Sequence, residues 1–416
     1  MISALVSRLT ISIPFALLIV TYLTACSSNK EIPPMTESDI LAFHQEILTI
    51  DTHVDTPLRL KYEGIDLGKR YDPDTIRTQL DYPRMAEGGL DGAFFAVWSP
   101  QGARTDSGHA AIKIKALETI RNVKEMVGKY PDLGGMAYRS EDAGRFAKQG
   151  KRAIYLGLEN GYPLGMELDN IDTFYELGIR YVTLCHTSNN EICDSSNDST
   201  EFGGLSPFGF KVIERMNRLG MMIDISHISD AAVDDVLDYS IAPVIASHSG
   251  SKTVCNNPRN LNDTLLARIA KNGGVVQMNL FSSYIKPTPP NLERDSAKAA
   301  LKEKWGDPYE LNSRDKASYL AEKKEMNLNH PQILASVADA VDHIDHIVNL
   351  IGVDHVGIGT DFDGGAGLSD CKDVSELPNI TKELFARGYS NSDIRKIWSG
   401  NLIRVFTEVE KIATPH

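Results

Sequence analysis

The sequence has few of the residues and motifs that mark several common classes of protein. Only 5 of its 416 residues are cysteine, and no two of them form a CxxC pair, so the spacing of a zinc ribbon is missing. Aspartate and glutamate outnumber lysine and arginine, 56 against 43, which gives a net charge of -13. Because a nucleic-acid-binding surface needs an excess of basic residues, this balance argues against a nucleic acid partner.

Residues 1–25 have the pattern of an export signal. Arg8 precedes an apolar run over residues 9–25, which is typical of a signal peptide and short for a membrane-spanning helix. An uncleaved N-terminal anchor is the alternative. The run ends in Leu-Thr-Ala-Cys, which resembles the lipobox of bacterial lipoproteins, so Cys26 is the predicted lipidation site. Ser27 stands where an aspartate would be the usual signal for retention at the inner membrane.

The N-terminal pattern predicts where the protein is found. Residues 26–40 would form the lipidated N-terminus and a polar tether. The protein would then be attached to its membrane partner by a lipid anchor and not by a spanning helix. We therefore expect a lipid-anchored protein of the bacterial cell envelope, on the periplasmic side of the outer membrane.

Short apolar runs alternate with amphipathic helical patterns along the rest of the chain. The predicted strands cover residues 47–52, 92–98, 153–158, 181–185, 221–226, 244–247, 275–279 and 355–360. Most are continuously apolar, as strands covered on both faces are. Eight β-then-α units predict one α/β domain over residues 41–416, a (β/α)8 barrel of the TIM type. A doubly wound sheet also alternates in this way, but no GxGxxG motif opens a helix here.

The segment at about residues 284–330 interrupts the alternation. It has a proline-rich start and a strongly charged helical part. We interpret it as a helical insertion after the seventh predicted strand, either part of a lid or a solvated surface segment with no role in chemistry.

Ionisable side chains follow most of the predicted strands. They are His53, Asp55, Glu159, His186, His227, His248 and Asp361. Each alone could be a hydrogen-bonded structural histidine or a turn-forming acid. In a (β/α)8 barrel, however, the C-terminal ends of the strands converge on one mouth, where active sites lie.

So many buried carboxylates and imidazoles in one place predict a metal centre. Burying them together without a cation is unfavourable, and nitrogen and oxygen ligands without thiolate suit zinc, cobalt or manganese. The set is large enough for two ions, and a carboxylate commonly bridges such a pair. Glu159, alone at the end of its strand, is the candidate bridge; His53 and Asp55 would hold one ion, and His227 and His248 the other.

The motifs around these residues resemble one enzyme family. They read IDTHVDTP, GLENGYPL, LCHTSNN, IDISHIS, IASHSGSKTVCNNPRN and GIGTDFDG, in that order. The ordered set resembles the membrane dipeptidases, also called renal dipeptidases (peptidase family M19), from about residue 47 to residue 406. The resemblance implies a metal-dependent (β/α)8 hydrolase with two zinc ions per chain, a dipeptide substrate and, in many members, a homodimer. It also implies tolerance of a D-residue at the C-terminal position.

The resemblance assigns roles to residues by motif position. His53, Asp55 and Glu159 would hold one zinc ion, and Glu159, His227 and His248 the other. His186 would contact substrate and stabilise the tetrahedral intermediate, and Arg259 would bind the terminal carboxylate of the dipeptide. Asp361 would transfer the proton.

The chemistry of these residue types agrees with the roles. A hydroxide bridging two zinc ions is a strong nucleophile near neutral pH. An imidazole can donate to a developing oxyanion, a carboxylate can carry a proton from the attacking water to the leaving amine, and the planar donors of arginine suit a carboxylate.

Several of these residues have a competing interpretation. Arg259 could instead form a surface salt bridge, and Asp363 competes with Asp361 for proton transfer. His343 and His346, three residues apart on a predicted outer helix, and His355 at the start of the last strand are expected to be structural.

Two other functions remain as alternatives. An amidohydrolase acting on lactones, phosphotriesters or nucleobases usually carries HxH on its first strand, where this chain has HVD. A peptide-binding lipoprotein without catalytic activity would need no cluster of metal ligands. The sequence therefore favours a zinc-dependent dipeptidase.

Overall fold

The computed structural model describes residues 36–71, 78–306, 308 and 311–414. The predicted signal peptide, Cys26 and most of the predicted tether lie outside these residues. Within them, no helix combines the length and the apolar character that a transmembrane span requires. From Glu37 onward the chain forms one compact unit.

Parallel strands form the centre of the fold. In chain order they are β1 Ile50–Val54, β2 Gly92–Trp98, β3 Gly134–Met136, β4 Arg152–Glu159, β5 Ile179–Thr183, β6 Met222–Asp224, β7 Ile245–Ser249, β8 Val275–Met278 and β9 Val356–Ile358. Eight of them follow one another around a barrel in the order β1-β2-β4-β5-β6-β7-β8-β9, while β3 pairs only with the start of β4.

The segment after β9 joins β1 and brings the last strand next to the first. Val54 bridges to Phe362 in parallel, the Asp361 N–H donates to the His53 carbonyl at 2.9 Å, and the Asp55 N–H donates to the Phe362 carbonyl at 2.8 Å. The predicted (β/α)8 barrel is confirmed. It also sets His53, Asp55 and Asp361 side by side.

Helices cover the outside of the barrel. They are α1 Glu37–Glu46, α2 Thr56–Glu63, α3 Tyr82–Glu87, α4 Asp106–Gly128, α5 Asp142–Ala147, α6 Asp169–Glu176, α7 Pro207–Leu219, α8 Asp230–Tyr239, α9 Asp263–Asn272, α10 Ser282–Ile285, α11 Leu292–Trp305, α12 Ser313–Asn329, α13 Val337–Ile351, α14 Pro378–Ala386, α15 Asn391–Arg395 and α16 Asn401–Ile412.

Local sequence fixes where the helices behind the site begin and end. The side chains of Ser206, Ser229 and Asn262 accept backbone N–H groups at the starts of α7, α8 and α9, which satisfies donors that a helix start leaves free. Gly220 and Gly273 end α7 and α9 in left-handed conformation. α7 packs on β6, and the residues of β6, β7 and β8 are buried along their whole length.

The structure gives bounds to α1 and to the predicted insertion. α1 begins at Glu37, inside the stretch assigned to the tether, because Phe43 and His44 are buried where α1 packs against α14. The predicted insertion contains α11 and α12, which pack as a hairpin. Glu322 holds the hairpin together by accepting from Lys304 at 2.6 Å and from the Trp305 indole at 3.0 Å.

Candidate metal centre

The structure brings all seven strand-end residues to one mouth of the barrel. His53 and His248 lie inside β1 and β7, and Glu159 is the last residue of β4. The predicted strands ended one or two residues early at these positions, because polar side chains continue the strands into the mouth.

Glu159 lies at the centre of four imidazole rings. Its Oε2 is 3.4 Å from His53 Nε2. Its Oε1 is 3.2 Å from His227 Nε2, 3.6 Å from His248 Nε2 and 3.6 Å from His186 Nε2. The two oxygens of one carboxylate thus face different histidines, as a bridging ligand requires.

The donor atoms form overlapping groups that could each hold an ion. Among the described residues these are His53 with Glu159 and His248, Glu159 with His186 and His227, and His53 with Asp55 and Asp361. His227 Nε2 and His248 Nε2 also face each other at 2.9 Å. The clusters contain every predicted ligand, and His186 lies as close to Glu159 as the predicted ligand His248 does.

Buried atoms without partners indicate that the cluster suits a cation. His53 Nε2 and Asp55 Oδ1 are buried and have no hydrogen-bond partner among the residues that the structure describes, although buried polar atoms are normally satisfied. The aligned Nε2 atoms and carboxylate oxygens are the ligand types that zinc prefers. The residues present therefore fit the predicted metal.

The electrostatics of the cluster favour positive charge at its centre. Burial opposes charge on His53, yet Glu159 and Asp55 raise the pKa of His53 to about 10. Burial also opposes charge on Glu159, but His53 and His186 hold the pKa of Glu159 well below its usual value. Burial keeps the pKa values of His227 and His248 well below the usual range, which leaves their rings neutral and able to bind a metal.

The Tyr181 hydroxyl holds the His53 ring in one orientation. The His53 Nδ1 is 2.8 Å from the Tyr181 hydroxyl, which itself lies 3.2 Å from the Thr52 carbonyl and donates to it. The hydroxyl must then accept the Nδ1–H of His53. This hydrogen bond places a proton on Nδ1, so Nε2, the nitrogen that faces Glu159, is the one that would bind a metal.

A buried aspartate orients His248 in the same way. Asp224 accepts the Ser247 hydroxyl at 2.6 Å, and the Ser247 oxygen is 2.8 Å from His248 Nδ1. Asp224 also accepts from Thr183 at 2.5 Å and from the N–H groups of Ser226 and Ser247. Since the Ser247 proton is directed to Asp224, His248 Nδ1 carries the other proton and its Nε2 is free for a ligand bond.

Asp361 and Asp363 differ sharply in what they contact. Asp361 faces the cluster beside Asp55, and its Oδ2 lies 3.2 Å from Asn279 Nδ2. Burial raises the pKa of Asp361 to about 6, a value suited to moving a proton near neutral pH. Asp363 is buried under hydrogen bonds from Thr56 and from the Gln79 N–H, both at 2.8 Å, so its carboxylate is occupied in holding loops together.

His186 and Arg259 lie at the edge of the cluster. The His186 ring is partly exposed and packs edge-on to Trp98 with ring centroids 5.9 Å apart. Arg259 is only 4% exposed; its Nη2 donates to the His248 carbonyl at 3.0 Å, and its Nε has no partner. A buried guanidinium whose contacts leave a donor free is not a surface salt bridge, and a carboxylate could accept from that donor.

The three histidines expected to be structural make structural contacts. His343 Nε2 lies 2.8 Å from the Ile285 carbonyl while its Nδ1 accepts the Ser251 N–H. His346 contacts Asp263 at 2.8 Å, and His355 contacts the Gly274 carbonyl at 2.8 Å. Each ring thus has a partner away from the mouth.

Sequence reasoning missed the residues that support the cluster. Asp224 is the one polar residue of β6, and that pattern is the signal that could have found it. Tyr181 lies in β5 beside Arg180 and Thr183, so no such contrast marks it. Asn279 follows β8 as the ionisable residues follow other strands. Tyr284 in α10 lies over the Arg259 guanidinium at 5.6 Å; it carries no motif that distinguishes it from a packing residue.

Comparisons with known proteins agree with the geometry. A family model described as membrane dipeptidase (peptidase family M19) matches residues 37–416. The chain is 31% identical over 359 residues to Dipeptidase tcpJ of Claviceps purpurea (85% of this chain, 74% of that protein). It is 31% identical over 391 residues to Dipeptidase 3 of Rattus norvegicus (91% of this chain, 68% of that protein).

A solved structure is similar over nearly the whole chain. The crystal structure of the probable dipeptidase PvdM from Pseudomonas aeruginosa aligns with a TM-score of 0.77 and 33% identity. The alignment covers 91% of this chain and 99% of that one.

Proposed function

The chain belongs to the membrane dipeptidase family, peptidase family M19, and on this premise we propose that it is a two-zinc hydrolase of dipeptides with a free C-terminal carboxylate. The family makes it a metal-dependent dipeptidase. The observation that carries the finer proposal is the buried Glu159 carboxylate with four imidazole nitrogens within 3.6 Å.

Five residues would hold the two ions. His53, Asp55 and Glu159 would bind one, and Glu159, His227 and His248 the other. When bound, the ions supply a water of lowered pKa as nucleophile and polarise the peptide carbonyl. Tyr181 and the Asp224–Ser247 pair would keep the imidazoles in the ligating tautomer.

His186 and Asp361 would act on the reacting atoms directly. Burial lowers the pKa of His186, so its ring is neutral and can donate one N–H to the oxyanion that develops on the substrate carbonyl. Asp361 would accept a proton from the attacking water at a carboxylate oxygen and return it to the leaving amine. Asn279 holds that carboxylate in place.

Arg259 would restrict the substrate to short peptides with a free C-terminus. Its buried, partly unpaired guanidinium supports this role, and a comparison of a dipeptide with its C-terminal amide tests it. We expect the amide to be hydrolysed much more slowly, and Arg259→Gln to remove most of that preference by raising KM for the free acid. Equal turnover of both substrates by the unmodified enzyme would refute the assignment.

A hydrolysis panel tests the function as a whole. We propose that both L,L-dipeptides and L,D-dipeptides are cleaved, and that a chelator abolishes cleavage until zinc is added back. Metal analysis of the purified protein should find two ions per chain. No cleavage of any dipeptide after addition of zinc or cobalt, with less than one bound ion per chain, would favour a peptide-binding lipoprotein instead.

We also propose that the protein is an envelope lipoprotein anchored through Cys26. The lipobox at the end of the apolar run supports this. Expressed in a bacterial cell, the full chain should fractionate with the outer membrane, and Cys26→Ser should not be lipidated. Lipid found on the variant would refute the anchor site. A homodimer, which the family resemblance implies, can be tested by light scattering on the purified protein.

A further inference from the structure

A cavity lies outside the metal centre. It has a volume of about 1360 Å³ and lies between the α11–α12 hairpin and the loop after β9. Among the described residues, none of the predicted metal ligands lines it. It is larger than the roughly 300–1,000 Å³ of an ordinary small-molecule pocket, so the inserted hairpin, which the dipeptidase chemistry does not use, encloses a substantial space.

An aromatic pair lies between this cavity and the metal centre. Phe281 lines the cavity and stacks on Tyr284, with ring centroids 4.6 Å apart. Tyr284 in turn lies over Arg259, the residue proposed to bind the dipeptide carboxylate. The aromatic pair therefore places the cavity next to the proposed substrate site.

The wall of the cavity is basic, although the whole chain is acidic. Its basic residues are Arg59, Arg294, Lys298, Lys302, Lys323 and Lys372, against the acids Asp295, Asp373 and Glu376. Two of the acids already have partners: Asp373 lies 3.6 Å from Arg84, and Glu376 accepts the backbone N–H of Lys372. Arg59 is paired as well, with Glu63 at 2.6 Å and with Asp363 at 3.4 Å. The other five basic residues still outnumber the three acids, so the local field favours an anion.

Among the described residues, two of these basic side chains make no ion pair, and a third has a donor without an acceptor. Lys298 and Lys302 lie one turn apart on α11, and within the described part of the chain neither makes an ion pair. Arg294 is only 6% exposed; its Nη atoms donate to the His330 carbonyl and to Asn327, but its Nε has no acceptor within the described part of the chain. A buried donor without an acceptor is unfavourable unless a ligand supplies one.

The remaining wall is apolar. Phe281, Leu301, Met326 and Ile333 contribute to it, and Ile333 is 48% exposed. An inorganic anion would satisfy the basic groups and leave this apolar surface in water. A ligand with both an anionic group and an apolar body would cover both parts.

We propose that this cavity is a binding site for an amphiphilic anion, a molecule with a carboxylate or phosphate group on an apolar body. The anionic group contacts Lys298, Lys302 and Arg294, and the apolar body lies against Phe281, Leu301 and Met326. The site is separate from the dipeptide site, so binding there does not require hydrolysis.

Calorimetry on the zinc-loaded full chain tests the site. The probes are dodecanoate and dodecyl phosphate below their micelle concentrations, which also show which anionic group is preferred. Dodecyltrimethylammonium tests the charge requirement, and butyrate tests the need for a long apolar body. We expect either dodecyl anion to bind and both comparison probes to bind much more weakly. Equal binding of the cation, or no binding of either dodecyl anion, would overturn the proposal.

Variants locate the binding to this cavity. Lys298→Gln with Lys302→Gln should weaken dodecyl anion binding by about fivefold, which is what two partly exposed ion pairs contribute. Ile333→Asp, at an exposed position, should weaken it further by repelling the anion. Lys324→Gln with Lys148→Gln removes the same charge at two exposed lysines outside the cavity lining and should leave affinity unchanged. Equal losses in both lysine pairs would refute the location, since they would reflect net charge alone.

Discussion

Backbone strain is concentrated at the residues of the barrel mouth. Among the described residues, the non-glycine positions with positive φ are Asn160, His227, Asp361 and Asp363, at φ 78°, 70°, 64° and 67°. The left-handed region is unfavourable for such residues by about 1 kcal/mol or more each. His227 and Asp361, both in the metal cluster, keep this conformation although glycine would adopt it without strain. This supports the roles proposed for their side chains, more strongly for His227 because aspartate enters the left-handed region more readily.

At Asp361 the proposed role predicts a loss of chemistry without a loss of structure. The asparagine side chain in Asp361→Asn has nearly the shape of aspartate, and its amide can still contact Asn279. It cannot accept a proton and return it. We expect hydrolysis to fall by about 10²–10⁴-fold, the usual contribution of a general acid or base. Steady-state kinetics measure this, and metal content and melting temperature should stay near those of the parent. Turnover close to normal would rule out the role.

Asp363→Asn is the matched control two residues away. Its carboxylate accepts from Thr56 and from the Gln79 backbone, and a buried network that loses an acceptor is destabilised by about 1–3 kcal/mol. The expected effect is a lower melting temperature with kcat nearly preserved at low temperature. If Asp363→Asn abolished turnover without lowering the melting temperature, proton transfer would have to be assigned to Asp363 instead of Asp361.

Tyr181 offers a test of how the ligand histidines are positioned. Tyr181→Phe removes the hydroxyl that fixes the His53 tautomer, so metal affinity should fall by about 10–100-fold, as measured by competition with a chelating dye. Tyr155→Phe is the control. Its hydroxyl also makes buried hydrogen bonds, to the Ala143 N–H and the Arg139 carbonyl, but away from the metal cluster. Equal losses of affinity in the two variants would indicate a general effect on the barrel.

At the scale of elements, the barrel could be predicted because its strands are local apolar signals. β2 begins at Gly92 and ends at Trp98 as predicted, and each of the other barrel strands overlaps a predicted strand. The site residues at the strand ends could be predicted because the C-terminal ends of all strands in such a barrel lie at the same face. β3 was missed because Gly134–Met136 has only three residues and two of them are glycine, too little apolar pattern to recognise.

The contacts that organise the site could not be predicted in this way. Ser247 and Asp224 lie on different strands, and Tyr181 meets His53 across the barrel interior, so only the strand order and register place them together. Nothing in the local sequence distinguishes Asp363 from Asp361 either, since both follow the same strand in one motif. Their different contacts arise from the segment around Gln79, which is distant in the chain.

α1 is attached to the barrel through a buried histidine, and this makes its stability depend on pH. His44 Nε2 donates to the Gly88 carbonyl at 2.8 Å, and its Nδ1 accepts from Thr381 at 2.7 Å while the Trp398 indole donates to the same hydroxyl. Burial lowers the pKa of His44 from 6.5 to about 4. Between those values the unfolded chain binds a proton that the folded protein does not, so the stability from this contact falls as pH drops.

His44→Gln should reveal this dependence in urea unfolding. At about pH 7 the variant should be less stable, because it loses the paired ring. At about pH 5 the gap between variant and parent should narrow by about 2 kcal/mol, since the parent alone must keep a buried histidine neutral. A gap of the same size at both pH values would mean that His44 contributes only through packing.

At the scale of the whole molecule, the fold places its carboxylates where they repel one another unless a cation is present. Asp55, Glu159 and Asp361 lie within one cluster at the end of the barrel, and burial together with the Glu159 charge raises the pKa of Asp55 well above its usual value. The metal should therefore act as a structural element as well as a catalytic one. At a thousandfold excess over its dissociation constant, a bound ion stabilises the folded state by about 4 kcal/mol.

Metal removal should lower the melting temperature and abolish hydrolysis, and zinc should restore both. Asp55→Asn separates this explanation from a general effect of the chelator. In zinc the variant should melt below the parent, because it has lost a ligand. After chelation it should melt at the same temperature or higher, because the amide is neutral without binding a proton, whereas burial and Glu159 disfavour the charged form of the Asp55 carboxyl. Calorimetric melting of the parent and of Asp55→Asn, each with zinc and after chelation, measures whether the order of their melting temperatures reverses. A lower melting temperature for Asp55→Asn in both conditions would mean that Asp55 stabilises the barrel whether or not a metal is bound.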